Sequence, residues 1–334
     1  MSEFREQVAE ALRAVRVTSP TSYAWFGRLA PPLKRAVRSS LEPPAARQYL
    51  VARLERALYQ SFYLQGVPRP KIPDDAVVAG ADPTFVAGLS HANAGTGGWG
   101  RRWRVVEVAD DGAVVAERDG LRLRIDASDY RPAAGGAVSP GAAVSARLPK
   151  ELRAVSPGFY FAHGDAVGNA DPAAVEIRVY FNLTSAGAVP LLAAATRLLN
   201  EQRIAFAIKL LNNPARYSRC DAGVLYLDEG SFARACGPLR ELVAACAPHL
   251  RAETPAFTKP LAYGVGGGEH EATLGASFGI GRCRLMAEGI ADAHEQRLTA
   301  LSDRVEAVVR RFALHGMDLD VPYLVSGVRD DYVL

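Results

Sequence analysis

The chain has 334 residues, of which 49% are hydrophobic and 22% charged, and a formal net charge of +3. That length favours two domains, the composition is that of an ordinary globular protein, and no apolar run is long enough to span a bilayer. A charge this small, with no basic run, leaves no footprint for nucleic acid, so neither nucleic acid nor a membrane is an expected partner. The N-terminal MSEFREQVAEALRAVRV has helical spacing in place of the basic and apolar regions of a signal peptide, and a cytoplasmic protein is expected. Cys220, Cys236, Cys246 and Cys283 have neither C-x-x-C spacing nor histidine companions, so they read as reduced, mostly buried thiols.

In chain order, Phe4, Val8, Leu12 and Val15 predict a first amphipathic helix, and Leu33 to Leu41 a shorter second one. After Pro43 the stripe Leu50, Leu54, Leu58 and Phe62 predicts a long helix that stops at Gly66. Residues 67–73 read as an extended linker, and Asp82-Pro83 as the cap and first residue of a short helix to Leu89. NAGTGGWG (93–100) lacks the G-x-G-x-x-G register and a preceding strand, which makes it a loop and not a phosphate cradle. WRVVEVA, AVVAER and LRLRID are separated by Asp-Gly at 111–112 and at 119–120, the signal of an antiparallel meander, which AVSARL (143–148) closes. Residues 1–150 are expected to form an N-terminal helical plus small antiparallel β module.

Residues 151–334 form the second expected module. It opens with a strand in PGFYFAHGDA (157–166). In the next, Val175 to Leu183, Glu176, Arg178, Tyr180 and Asn182 alternate with Ile177, Val179, Phe181 and Leu183, so one face is core and the other a floor. A helix capped by Thr184 or Ser185 leads to a strand at Ile204–Leu211. A strand-helix-strand unit normally returns parallel, which would put Lys209 on the face of Arg178 and Tyr180. A loop with Arg216 and Arg219, a strand AGVLYLD and a helix from Ser231 to Leu250 come next. PAFTKPLAYGVGGGEHEATLGA reads as loop, Ser277 as the cap of a helix carrying Arg282 and Arg284, and His294–His315 as the last helix, ending at Gly316.

Of the 39 basic residues only Lys34, Lys71, Lys150, Lys209 and Lys259 are lysines, so a lysine inside an apolar strand asks for a reason. Desolvation and neighbouring arginines would lower the Lys209 pKa toward that of a general base, a role closed to arginine. The alternative is a lysine that snorkels or pairs with Glu176. Arg178, mid-strand between apolar residues, needs an anion or an ion pair within its sheet. Tyr180 could donate from the same face or be a core tyrosine, and His163 and His270 read as structural histidines. G-x-S-x-G, H-E-x-x-H, Walker and kinase motifs are absent.

The series GFYFAHGDA, RVYFN, FAIKLLNNPARYSRCDAGVLYL, PAFTKPLA and SFGIGRCRLMAEGI, spread over residues 155–293, resembles the HopA-type effector family, and NAGTGGWGRRWRVV resembles the upstream part of its actinobacterial members. Those members are regarded as lyases of class V lanthipeptide and thioamitide maturation that work with a kinase-like partner protein, and are distantly similar to phosphothreonine lyases. The resemblance implies an α+β fold whose second module is a phosphothreonine-lyase-like mixed sheet flanked by helices. It implies a phosphoserine/phosphothreonine lyase that eliminates phosphate from a phosphorylated precursor peptide to leave dehydroalanine or dehydrobutyrine, with no cofactor and no metal. Lys209 would remove the α-proton; Arg178, Arg216, Arg219, Lys259, Arg282 and Arg284 would hold the phosphate. Tyr180 stands where phosphothreonine lyases carry a histidine general acid, with His163, His270 or no acid as alternatives. Some members of the family have no established catalytic role, so a non-catalytic protein binding a phosphopeptide or the kinase is the other expectation.

Overall fold

The computed structural model describes residues 2–70, 80–118, 121–133, 136–153, 156–166, 175–270, 277–325 and 330–334. Ser2 caps α1 (Glu3–Ala14), which buries Phe4, Val8 and Leu12 as their spacing predicts. A small antiparallel sheet absent from the sequence reading follows: β1 (Val15–Ser19), β2 (Ser22–Trp25) and β3 (Arg28–Leu29). Helix α2 (Arg35–Ser40) is short, and α3 (Pro43–Ser61) buries Leu50, Leu54 and Leu58 before a single 3-10 turn ends at Gly66, where φ is 74°. The 67–73 linker lies partly outside the described residues. Asp82 caps α4 (Pro83–Ala92) by accepting from the Phe85 amide at 2.9 Å.

The expected meander is present as a five-stranded sheet in the order β6-β5-β4-β8-β7. Its strands are β4 (Gly98–Val108), β5 (Val114–Arg118), β6 (Leu121–Ile125), β7 (Tyr130–Pro132) and β8 (Ala143–Leu148), around a small core of Trp103, Val105, Val114 and Ile125. The turn at 119–120 lies outside the described residues, although the strands beside it pair. The glycine loop before β4 is held by a carboxylate: the amides of Thr96 and Gly97 donate to Asp165 at 2.8 and 2.9 Å.

A seven-stranded sheet organises the rest, in the order β14-β15-β11-β13-β12-β10-β9. Its strands are β9 (Glu151–Leu152), β10 (Phe159–His163), β11 (Glu176–Phe181), β12 (Ala207–Leu211), β13 (Gly223–Asp228), β14 (Lys259–Ala262) and β15 (Val265–His270). Every neighbouring pair is antiparallel, so the sheet is not the mixed one expected. Helix α5 (Ala188–Glu201) carries the chain from β11 to β12, which run in the same direction with β13 inserted between them. Helix α6 (Glu229–Cys246) is capped by Asp228 and begins two residues before the expected Ser231. The last two helices are α7 (Phe278–Glu295) and α8 (Leu301–Leu314); the helix expected from His294 begins at Leu301, because α7 runs on to Glu295.

The two faces of the sheet have separate cores. Ile177, Val179, Phe181, Ile208 and Leu225 pack under α5 and α6. On the other face Tyr180 and Val224 join a core built from α1, α3, α7 and α8. The stretch VGGGEH was expected to be loop and is a fully buried strand. Its glycines admit neighbours that a side chain would displace: a Cβ on Gly268 would lie 2.5 Å from Phe278 Cε2. Gly268→Ala should therefore lower stability by about 1–3 kcal/mol in a urea melt, as overpacking does. An unchanged midpoint would show that Phe278 does not press on this strand.

Candidate functional site

Strand register assembles the site. Tyr180 and Lys209 both pair with Val224, while Arg178 and Ala207 both pair with Tyr226, so Arg178, Tyr180 and Lys209 share one face across the inserted strand. Phe161 stands opposite Lys209, and His270 opposite Glu176. The period-two alternation of β11 fixed which of its residues share this face; the inserted strand β13 adds Tyr226 to the floor.

Cations and aromatic rings alternate along that floor. Lys209 Nζ lies 4.6 Å from the centre of the Phe159 ring and 5.5 Å from that of Tyr226. Arg178 Cζ flanks the Tyr226 ring at 5.3 Å, and Arg219 Cζ flanks Phe159 at 5.8 Å. Ring faces attract cations, which offsets part of the repulsion among three positive groups. Two carboxylates offset more: Glu176 accepts from Arg178 Nε at 2.7 Å, and Asp221 takes Arg219 in a fork, with Nη2 to Oδ2 at 2.8 Å. Arg219 Nη2 also donates to the Tyr59 hydroxyl of α3 at 3.3 Å.

Lys209 itself makes no hydrogen bond or ion pair with any described residue. Burial, then the nearby Arg178 and Arg219, depress its pKa to about 8, against the partial support of Asp221 and Glu176. Near pH 7.5 about a quarter of the molecules hold it neutral, against about one in a thousand for an ordinary lysine. Arg178 remains charged, and among the described residues its terminal nitrogens make no hydrogen bond. A half-buried amine of adjustable charge thus stands one ring away from an arginine with donors to spare.

The other expected site residues are placed as follows. Tyr180 is 3% exposed, packs on Phe278 at 5.8 Å between centroids and lies beside Tyr63; burial raises its pKa. It is a floor beam with no opening to a ligand. Arg282 is 2% exposed and spends its donors on the carbonyls of Pro322 (2.5 Å), Glu269 and Phe278, and burial lowers its pKa to about 10. It braces α7 beneath the site. Arg284 is exposed and pairs with Glu288 on the same helix at 3.3 Å. Lys259, paired with Gly267 on the edge strand, binds Asp330 at 2.7 Å and is not brought to Lys209. Arg216 donates to the Gly158 carbonyl at 3.3 Å, one residue from Phe159, and its Nε is buried without a partner.

His270 belongs to the same face. It is 8% exposed, its Nδ1 has no partner, and burial with Arg178 and Arg282 lowers its pKa to about 4, so it is neutral at pH 7. His163 lies on β10 against Phe161, with its pKa lowered by burial. Sequence reasoning missed Asp221, Phe159, Tyr226 and Tyr59. The spacing of Arg219 and Asp221 was a usable signal; Tyr59 was not legible, because it arrives from a helix 150 residues upstream of Lys209.

The HopA1 effector protein family profile matches residues 151–324. The chain belongs to that family. Two solved effector structures from Pseudomonas syringae resemble it. That of pv. tomato strain DC3000 has 16% identity and a TM-score of 0.46, over 84% of this chain and 95% of that one. That of pv. syringae strain 61 has 20% identity and a TM-score of 0.38, over 50% of this chain and 63% of that one. No curated protein matches the chain. Among the described residues no helix is long and apolar enough to cross a membrane.

Holding Lys209 in this place costs stability. Below about pH 8 the folded and unfolded chains both carry the proton, and the cost is fully present. Between about 8 and the ordinary value of 10.5 only the unfolded chain keeps the proton, so the cost fades as pH rises. Lys209→Met should therefore stabilise the protein by about 1–3 kcal/mol at pH 7, with the gain shrinking toward pH 10.5. Chemical denaturation at several pH values checks this; a gain that does not change with pH would mean that Lys209 is not desolvated.

Proposed function

We propose that this HopA1-family protein is a phosphoserine/phosphothreonine lyase acting on a phosphorylated ribosomal precursor peptide, and that it receives this peptide from a kinase-like partner. The observation that carries the proposal is Lys209: an amine with its pKa near 8, no bonding partner, and Arg178 across the Tyr226 ring.

Neutral Lys209 takes the α-proton of the phosphorylated residue. The electrons of the broken Cα–H bond form the Cα=Cβ double bond, the Cβ–Oγ bond breaks, and inorganic phosphate leaves with that electron pair. The product is dehydroalanine from phosphoserine or dehydrobutyrine from phosphothreonine, and the proton on Lys209 then passes to solvent. The terminal nitrogens of Arg178 hold the phosphate and meet the charge that grows as it departs. Its Glu176 partner fixes the guanidinium through Nε, a preorganised arrangement that avoids reorganisation during the reaction. Arg219, forked to Asp221, contributes field from behind Phe159, with no direct ligation.

The buried Tyr180 is left out of proton transfer: burial raises its pKa, and the core formed with α3 and α7 covers it. Phosphate departs unprotonated, stabilised by Arg178. The neutral His270 beside it serves as a hydrogen-bond acceptor for the bound peptide or for a phosphate hydroxyl.

Incubation with a phosphoserine peptide, followed by mass spectrometry, tests the proposal. Loss of phosphoric acid is expected; loss of HPO3 with the hydroxyl retained would make the protein a phosphatase, and an unchanged peptide that still binds would make it a phosphopeptide-binding protein. Lys209→Ala should abolish elimination while phosphopeptide binding survives. Arg178→Ala should weaken binding by about ten- to a hundredfold, the worth of hydrogen bonds to a charged group. In the wild type kcat/KM should rise with pH and level off above about 8 as Lys209 loses its proton. A fully active Lys209→Ala variant would refute the mechanism.

A further inference from the structure

A second basic site lies at the other end of α7. A cleft of about 410 Å3 between β1, α7 and the start of α8 is lined by Arg16, His294, Arg297, Arg304 and Thr299 over an apolar floor that includes Val17 and Ile290. None of its lining residues is acidic. Arg304 is half-buried, with Nη2 on the carbonyls of Leu12 and Val15 at 2.8 and 2.9 Å, and burial lowers its pKa; it is fixed in place without a carboxylate. Among the described residues, Arg16 and Arg297 make no ion pair. This contrasts with the paired arginines nearby: Arg47 binds Asp292 and Glu295, and Arg311 binds Asp292. Arg297 has φ 56°, a left-handed conformation that costs an L residue about 1–2 kcal/mol, so a tight turn presents this side chain. The C-terminal carbonyls of α7 add about half a negative charge, too little to balance three guanidiniums.

The cleft does not end there. It shares His294 and Arg297 with a groove of about 720 Å3 whose wall includes Leu41, Pro43, Leu50 and Ala291. One end of the combined trough is basic; the other is mostly apolar, and its one carboxylate, Glu295, is paired with Arg47. A lone anion would occupy the basic end and leave the apolar wall uncovered. An extended chain with acidic residues followed by an apolar side chain complements both ends. The lining residues of α7, from Ile290 to His294, lie about 18–24 Å along the helix from Phe278, which packs against the Lys209 face, so the occupant of the trough does not compete for that site.

We infer that this trough is a binding site for an acidic peptide segment, with Arg16, Arg297 and Arg304 meeting its carboxylates. The inference stands apart from the elimination reaction, because it is read as binding without turnover.

Fluorescence anisotropy of a labelled peptide alternating glutamate and leucine, against the full chain, tests it. The peptide should bind, its glutamine counterpart should not, and affinity should fall with added salt. Arg16→Glu with Arg297→Glu, both at exposed positions, should cut affinity by about tenfold or more with an unchanged thermal melt, whereas Lys209→Ala should leave it intact. Undiminished binding by the charge-reversed variant, or no binding by the wild type, would overturn the inference. So would displacement of the peptide by inorganic phosphate at a similar concentration, which would make the cleft a simple anion site, or binding of anionic lipid vesicles without binding of the peptide.

Discussion

The order of side chains on the floor of the large sheet, Arg219, Phe159, Lys209, Tyr226 and Arg178, is the constraint on which the site depends. Three cations within this span would repel one another and favour an open, hydrated surface. Two rings and two carboxylates hold them together, and the cost falls on the only member able to discard its charge. Arginine stays protonated beside other cations; lysine yields. The depressed pKa of Lys209 follows first from its burial and then from the company of Arg178 and Arg219.

That company comes from distant parts of the chain. The register of β10, β12 and β13 supplies Phe159, Lys209 and Tyr226, and β11 supplies Arg178 with its Glu176 partner. Helix α3, far upstream, presses Tyr59 and Tyr63 against the same face, one on Arg219 and the other on Tyr180. Arg282 lies below, tied to backbone carbonyls and stacked on Phe278. These buried groups are spent on one another, so that Lys209, the outer nitrogens of Arg178 and Nδ1 of His270 are the parts of the floor with unspent chemistry.

The sequence disclosed what local periodicity controls. The alternation Glu176-Ile177-Arg178-Val179-Tyr180 gave the two faces of β11, the register of Ile204–Leu211 put Lys209 on one of them, and Ser277 did precede the helix carrying Arg282 and Arg284. It did not disclose what tertiary pairing controls. VGGGEH has the composition of a loop, and it is a strand because Thr258, Leu261 and Phe278 press on the backbone where side chains would be. That strand brings His270 to Glu176. Nor does an arginine announce its partner: in a chain so rich in arginine, only the fold separates Arg178, with unspent donors, from Arg282, which is consumed by carbonyls, and Arg284, which faces solvent. The alternation that placed Tyr180 with Arg178 was right about the face and could not report that α3 and α7 cover it.

The central claim is that Lys209 exchanges its proton near neutral pH. With only five lysines in the chain, a pH titration followed by NMR of 13Cε-labelled lysine, with Lys209→Arg to assign the resonance, reads it directly. The account predicts one lysine titrating with a midpoint near 8, well below the ordinary value of 10.5. If all five titrate together in the ordinary range, Lys209 is a solvated cation and the account of this site is wrong.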